Sequence, residues 1–182
     1  KRTAGTPERR GGCCAWCRGS GRSTWPYTKI DKSATATLKQ VEEAALKLGV
    51  QLLLRPVGSQ EDIQSAAREI PPEAQAIFLP QDSRIESQID LFVASALQRR
   101  LPLSAPSALQ VEKGALMSYG FDHLSIGRQA GRLAVEILQG RKPGELPVET
   151  AENVLYLNQR SAQTIGLKID DAVLRQARKI VH

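Results

Sequence analysis

The sequence predicts an α/β fold in which a parallel sheet carries helices on both of its faces. Short apolar segments alternate with amphipathic helices along the chain, and this alternation is typical of parallel strands joined by right-handed crossovers. Aromatic residues make up only 4% of the 182 residues, which favours helices packed on a sheet over a β-sandwich. A chain of this length can build one sizeable core or two small ones.

Three helices and three strands are predicted in the first part of this pattern, and most have a recognisable start or end. The first helix ends at Gly49, and its apolar stripe consists of Leu38, Val41, Ala45 and Leu48. Capping-box patterns open the next two helices, at Ser59 with Asp62 and at Ser83 with Glu86. The intervening strands are predicted at 51–57, 76–79 and 101–105.

The most informative stretch begins with a strand predicted over residues 115–121 and continues into a long amphipathic helix that Gly140 ends. Asp122 is predicted to cap this helix, because its carboxylate can accept hydrogen bonds from the free N–H groups of the first turn. Gly127 and Gly131 lie one turn apart, so we expect that side of the helix to approach the sheet closely. The apolar stripe consists of Ala130, Leu133, Ala134, Ile137 and Leu138.

The two ends of the chain differ in character. The C-terminal part is predicted to add a strand over 153–157 and helices over 161–166 and 171–181. The N-terminal part is rich in Gly, Arg, Ser and Thr and shows no periodicity. We therefore divide the chain into a disordered or aberrant basic leader, residues 1–28, and an α/β region, residues 29–182.

The net charge of +6 comes from the N-terminal part. Residues 1–29 hold seven basic residues and one acid, so the rest of the chain is neutral overall and has no basic excess to drive binding to nucleic-acid phosphates. Cys14 and Cys17 have the C-x-x-C spacing of redox and zinc motifs. A redox motif needs a preceding strand, and a zinc site needs about two further ligands, so we predict neither a metal site nor a nucleic-acid partner.

Three of the predicted strands are followed by turns with small polar or acidic groups. The carboxyl ends of parallel strands share one edge of a sheet, and open α/β sheets bind their ligands at this edge. A crevice with two carboxylates and several hydroxyls suits a polar small molecule, such as one that carries an ammonium group or sugar hydroxyls. The candidate ligand-binding residues are Asp82, Ser83, Ser104, Ser107 and Asp122.

Nothing in the sequence predicts catalysis or a cofactor. It contains no Gly-x-Ser-x-Gly elbow and no Gly-rich phosphate loop after a strand. His123 is a lone imidazole at a helix start; it could act as a base, but a surface position is favoured. No apolar run reaches the roughly eighteen residues that a membrane span requires, so we predict no stable membrane insertion.

Several segments carry a resemblance to a known family. They include Ala-Ile-Phe-Leu-Pro-Gln-Asp at 76–82, Leu-Pro-Leu-Ser-Ala at 101–105 and the stretch from Val111 to Gly131. Together with the C-terminal segments, they make residues 33–182 similar to the C-terminal part of ABC transporter substrate-binding proteins of the tryptophan/tyrosine type. These proteins have the type I periplasmic-binding fold.

The resemblance implies a two-lobed receptor that closes on a small ligand and delivers it to an ABC permease. Asp82, Ser104, Ser107 and Asp122 would face the cleft between the lobes, and residues 113–145 are a candidate part of the other lobe. Family ligands include aromatic amino acids. The resemblance also implies a periplasmic or extracellular, membrane-associated location.

The resemblance covers only the C-terminal part of the family pattern, so we expect a truncated member or a remnant without its N-terminal lobe. Such a chain would expose an apolar edge through which it could dimerise. Two other functions stay open. One is the ligand-sensing domain of a transcription regulator, which shares this fold class; the other is a small flavodoxin-like enzyme, although a phosphate loop and a nucleophile are missing.

Overall fold

The computed structural model describes residues 21–28 and 32–182. Seven strands form one sheet in the order β2-β1-β3-β4-β5-β6-β7. The strands are β1 (Arg22–Thr28), β2 (Gln51–Val57), β3 (Ala76–Phe78), β4 (Leu103–Ser104), β5 (Met117–Phe121), β6 (Asn153–Asn158) and β7 (Ala177–Val181). The helices are α1 (Lys32–Leu48), α2 (Gln60–Arg68), α3 (Ser83–Glu86), α4 (Ile89–Gln98), α5 (Ala108–Glu112), α6 (His123–Leu138), α7 (Gln159–Ile165) and α8 (Asp171–Leu174), with a short 3-10 helix at Pro143–Glu145.

The sheet is mostly parallel, as the alternation of elements predicted. The exception is the antiparallel pair of β5 and β6, in which Phe121 lies opposite Asn153. After β5 the chain runs through α6 and re-enters the sheet at the same end at which β5 left it. This return reverses the direction of β6, and no local pattern in the sequence indicated it.

Strand β1 lies within the segment predicted to be a leader. It pairs with β2 over its whole length and with β3 at Ser23 and Thr24, so it is a central strand. The predicted leader is therefore wrong for these residues. Pro26 made this strand hard to predict, because proline has no N–H and rarely fits a central strand. The strand tolerates Pro26 because the pairing of β1 with β3 ends at Thr24, before the proline. The earlier part of the leader, with its C-x-x-C motif, lies outside the described residues.

The helix starts confirm one predicted capping box and correct another. Ser59 Oγ accepts a hydrogen bond from the Asp62 N–H at 3.1 Å, and the Asp62 carboxylate accepts one from the Ser59 N–H at 2.9 Å. At α3 the cap is Asp82 and not Ser83, because the Asp82 carboxylate accepts from the Arg84 N–H at 2.9 Å. The helix predicted from residue 83 is also divided into α3 and α4.

The helix predicted over residues 171–181 is wrong in its second half. Helix α8 ends at Leu174, and the segment Ala177–Val181 forms β7, which pairs in parallel with β6. Without β7 the hydrogen-bonding groups along that edge of β6 would lack partners within the sheet. Tertiary pairing therefore overrides a local pattern that favoured a helix.

The two faces of the sheet are covered to different extents. On one face α2 and α4 close a continuous core that includes Ile77, Phe92 and Leu103, each at most 1% exposed. On the opposite face α1 covers β1 and β2, while Tyr119 and Phe121 of β5 remain 42% and 51% exposed. One side of the sheet is thus sealed and the other is open.

Helix α6 lies outside this packing. None of its sixteen residues is buried. The expected close approach at Gly127 and Gly131 is wrong, because a Cβ placed at either glycine would meet nothing within 4 Å. No helix in the described part of the chain has both the length and the apolar character needed to cross a membrane.

Candidate functional site

The five predicted ligand-binding residues follow three neighbouring parallel strands. Asp82 and Ser83 come after β3, Ser104 ends β4, Ser107 precedes α5, and Asp122 joins β5 to α6. Because β3, β4 and β5 are adjacent and parallel, these turns share one edge of the sheet. We call this edge the rim and define it as residues 79–83, 104–107 and 119–123.

Asp82 is held firmly at the rim. One carboxylate oxygen accepts from the Arg84 N–H at 2.9 Å and lies 3.7 Å from Arg84 Nε, while the other accepts from the Thr28 hydroxyl. The side chain is only 11% exposed. Thr28 was missed by sequence reasoning, since it belongs to the strand that the leader prediction concealed.

Asp122 caps α6 as predicted. Its carboxylate accepts from the Ser125 hydroxyl at 2.5 Å and from the Leu124 N–H at 3.3 Å. The Ser125 hydrogen bond is the main cause that lowers the pKa of Asp122, because these donors stabilise the ionised form. The neighbouring Tyr156 on β6 is buried, and this burial, together with the negative charge of Asp122, raises the pKa of its hydroxyl.

The charges of Asp82 and His123 both act on Glu86, a half-buried acid of α3. Partial burial raises the pKa of the Glu86 carboxyl, the charge of Asp82 raises it further, and His123 and Gln110 act in the opposite direction. Glu86 thus interacts with the turn after β3 and with the first residue of α6. The sequence analysis identified Glu86 only as a capping residue. Its position four residues after Asp82 was the signal that could have indicated a charge interaction with that residue.

The three serines have different environments. Ser83 is exposed, Ser107 is half-buried, and Ser104 is only 5% exposed on its strand. The Ser107 N–H donates to Gln110 Oε1 at 3.1 Å in a capping box that fixes the start of α5. All five predicted residues therefore belong to the rim, and Ser104, on its strand, is the most buried of the three serines.

A cavity of about 460 Å³ lies on the open face of the sheet, and we call it the α1 groove. Its walls are mainly apolar side chains of α1 and the sheet, and it extends along the rim at residues 79–81, 104–106, 119–121 and 123. Of the predicted ligand-binding residues, only Ser104 lines it. The apolar wall includes Trp25, Val41, Ala44, Leu48, Leu52 and Phe78.

The rim and the α1 groove suit different partners. Fixed carboxylates at the rim can accept from a cationic group, whereas the groove offers mainly apolar surface and suits an apolar partner. Within residues 21–28 and 32–182, no three His, Cys, Asp or Glu side chains cluster as a metal ion would require. The site chemistry of the described residues is that of binding through charge and hydrogen bonds.

This fold is an α/β module whose polar turns gather at the carboxyl edge of its sheet, where open α/β sheets bind their ligands. The model of the ABC transporter substrate-binding protein family matches residues 26–181. The chain belongs to this family, as the sequence resemblance predicted.

Individual relatives agree with this assignment. The chain is 22% identical to the tyrosine-binding protein of Clostridioides difficile over 143 residues, which are 78% of this chain and 41% of that protein. It is 25% identical to an ABC domain in complex with L-Trp from Streptococcus pneumoniae, with a TM-score of 0.75 over 88% of this chain and 56% of that one.

A LacI family transcriptional regulator from Bifidobacterium animalis shares only the fold. The TM-score is 0.53 and the identity 14%, over 75% of this chain and 52% of the regulator. In each of these comparisons the chain spans about half the length of the protein it matches.

Proposed function

We propose that the chain forms one wall of a binding site for a free amino acid and acts as the receptor of an ABC transporter. The observation that carries the proposal is the pair of fixed carboxylates at the rim. Asp82 and Asp122 each cap a helix next to the same sheet edge. Carboxylates in this position attract the ammonium group that every free amino acid carries.

The remaining predicted residues complete this wall. Ser83 is exposed and Ser107 is half-buried, so their hydroxyls would donate to the ligand, and Ser104 lines the adjoining groove. Tyr119 and Phe121 present exposed rings at the same edge, which suits an aromatic side chain. The related proteins that bind tyrosine or L-Trp support this substrate class.

The rim is open on its outer side, so tight binding needs a second wall that closes over the ligand. Closure excludes water and strengthens each charge interaction, and the ligand drives it by binding the closed state better. The receptor would then present the ligand to its permease at the periplasmic or extracellular face of the membrane, without a chemical step. The regulator alternative rests on the fold alone.

Binding to a single wall is best detected by NMR, which reports weak complexes residue by residue. We expect titration with L-tryptophan to shift the backbone amides of 82–84, 107–110 and 122–125. Tryptamine, which keeps the ammonium group, should shift the same amides, and indole-3-propionate, which lacks it, should not. Shifts confined to helix α1 and strand β2, or no shifts, would contradict the proposed site.

A charge-neutral substitution tests the role of the carboxylate. Asp122→Asn keeps a capping side chain but removes the charge, and we expect affinity for L-tryptophan to fall about tenfold or more. Asp90→Asn is the matched control, because Asp90 is an exposed acid of α4 that belongs to none of the rim segments and pairs with Lys113. Equal losses in both variants would show that the effect is general electrostatics.

A further inference from the structure

Thr28 is the last residue of strand β1 and is only 1% exposed. Valine has nearly the same shape and suits a buried strand equally well, so the feature that distinguishes Thr28 is its hydroxyl group. A buried hydroxyl needs a hydrogen-bond partner. The Thr28 hydroxyl donates to Asp82 Oδ2, so its partner is one of the two acids of the rim.

The topology of the sheet brings these two distant residues together. Strands β1 and β3 are parallel neighbours, and Thr24 pairs with Ile77. Thr28 lies further along β1, and Asp82 follows β3, so both reach the same carboxyl edge of the sheet. Strand β1 therefore supports the rim from beneath, although none of its residues belongs to the three rim segments.

The two oxygens of the Asp82 carboxylate are held from different sides. Oδ1 accepts from the N–H groups of Arg84 and Ile85, at 2.9 Å and 3.5 Å, in the first turn of α3. Oδ2 accepts from Thr28, on the sheet. The rotation of an aspartate carboxylate about its last torsion is broad, so the helix cap alone fixes it poorly. The hydrogen bond from β1 fixes the plane of the carboxylate.

Asp82 keeps the capacity to bind a ligand in this orientation. An ionised carboxylate offers about four lone-pair sites, and the donors on Thr28, Arg84 and Ile85 use three of them. Thr28 is a neutral donor, so it orients the carboxylate without bringing a positive charge to compete with a cationic ligand. A group that is already oriented also loses less conformational freedom when the ligand binds.

We propose that Thr28 is a positioning residue for ligand binding, whose hydroxyl holds Asp82 in the orientation that receives the ammonium group of the amino acid. This role rests on the proposed function, because it requires a ligand whose ammonium group binds at Asp82. Thr28 acts through Asp82, since a side chain that is 1% exposed has almost no surface to offer a ligand. Its hydroxyl should therefore matter only while residue 82 carries a carboxylate.

Thr28→Val removes the hydroxyl and keeps the shape of the side chain. We expect the dissociation constant of the full chain for L-tryptophan, measured by NMR titration, to rise about fivefold or more, because a hydrogen bond to a charged group is lost. Thr28→Ser keeps the hydroxyl and should bind within about twofold of the wild type. Thr24→Val is the matched control, since Thr24 is a buried threonine of the same strand whose hydroxyl donates to the Leu53 carbonyl.

A double-mutant cycle separates positioning from a general loss of structure. Asp82→Asn should itself weaken the binding of L-tryptophan. Adding Thr28→Val to it should raise the dissociation constant by less than about twofold, because no charged acceptor is left for Thr28 to orient. Far-UV circular dichroism and urea denaturation check that each variant folds. If Thr28→Val does not fold, Thr28→Cys replaces it, since a thiol is only a weak donor.

The failure of this role and the failure of the proposed function give different results. If neither L-tryptophan nor tryptamine shifts the rim amides of the wild type, the proposed function fails and the role of Thr28 fails with it. If both ligands bind the wild type, unchanged affinity in Thr28→Val or an equal loss in Thr24→Val would overturn the role of Thr28 alone. A loss in Thr28→Ser as large as in Thr28→Val, or a full effect of Thr28→Val on the Asp82→Asn background, would overturn it as well.

Discussion

Helices α4 and α6 have similar sequence patterns and opposite environments. Both carry apolar residues at helical spacing, yet α4 buries Ile89, Phe92, Val93 and Ala96, while α6 buries none. The pattern indicates that a helix has an apolar face and which residues form it. It does not indicate whether the partner of that face belongs to the same chain.

The two faces of the sheet show the same contrast. The α4 side is closed by a continuous core, and the other side leaves a cavity of about 460 Å³ between α1 and the strands. Because apolar burial supplies most of the folding free energy, the α4 side should dominate the stability of the single chain. The open face of the sheet should contribute less to that stability.

The largest expected effect comes from truncating one apolar residue on each helix. Phe92→Ala removes a ring that is 1% exposed and should lower the free energy of unfolding by about 3–5 kcal/mol. Leu138→Ala removes a side chain that is 86% exposed and should change it by no more than about 0.5 kcal/mol. Urea denaturation in dilute solution measures both.

Dilution is the control for this pair of variants. If Leu138→Ala costs as much as Phe92→Ala at low concentration, α6 packs on its own chain and the contrast between the helices is lost. A cost for Leu138→Ala that appears only at high concentration would instead place its partner in another molecule.

A glycine against α4 provides the next test. Gly114 has a φ of +119°, and a Cβ there would lie 2.7 Å from Val93 Cγ1. Gly114→Ala combines backbone strain with overpacking of the sealed side and should cost about 2–4 kcal/mol. Gly140→Ala is the control, since Gly140 also has a positive φ, +100°, but nothing within 4 Å. Equal losses in thermal or urea unfolding would show that contact with Val93 contributes nothing.

Local signals in the sequence were enough to predict much of the fold. Apolar periodicity and the caps at Ser59 and Asp122 are set by neighbouring residues, and the structure confirms both caps. Strand β1 and strand β7 were missed because each is defined by pairing with distant strands. Long-range pairing of this kind overrides local propensity and leaves little trace in a single sequence.

The position of the rim could be predicted from the sequence, but the side-chain interactions that hold it could not. The rule that parallel strands share a carboxyl edge places Asp82 and Asp122 at one edge without any coordinates. The Thr28 hydroxyl that fixes Asp82, and Glu86 between the two turns, depend on three-dimensional contacts. The ligand-binding role of the rim stays a prediction.

A glycine on α6 should behave in the opposite way to Gly114. Gly127 lies inside the helix, and a Cβ added there would have nothing within 4 Å, so Gly127→Ala should stabilise the single chain by about 1 kcal/mol through helix propensity. Thermal unfolding measures the change, and a destabilised chain would show that α6 packs closely against another part of it at Gly127.

The smallest expected effect concerns Glu86, a half-buried acid on α3 close to Asp82 in the sequence. Its pKa is raised in the folded chain, by burial first and by the charge of Asp82 second, so the folded state favours the protonated carboxyl. The stability that protonation provides is fully present below the ordinary pKa of glutamate and is lost as pH rises through the higher folded value. Glu86→Gln stays neutral, so it should be more stable than the wild type at neutral pH by less than about 1 kcal/mol, since Glu86 is partly solvated. The difference should shrink as the solution is acidified, and urea denaturation across this pH range would contradict the assignment if the two curves ran parallel.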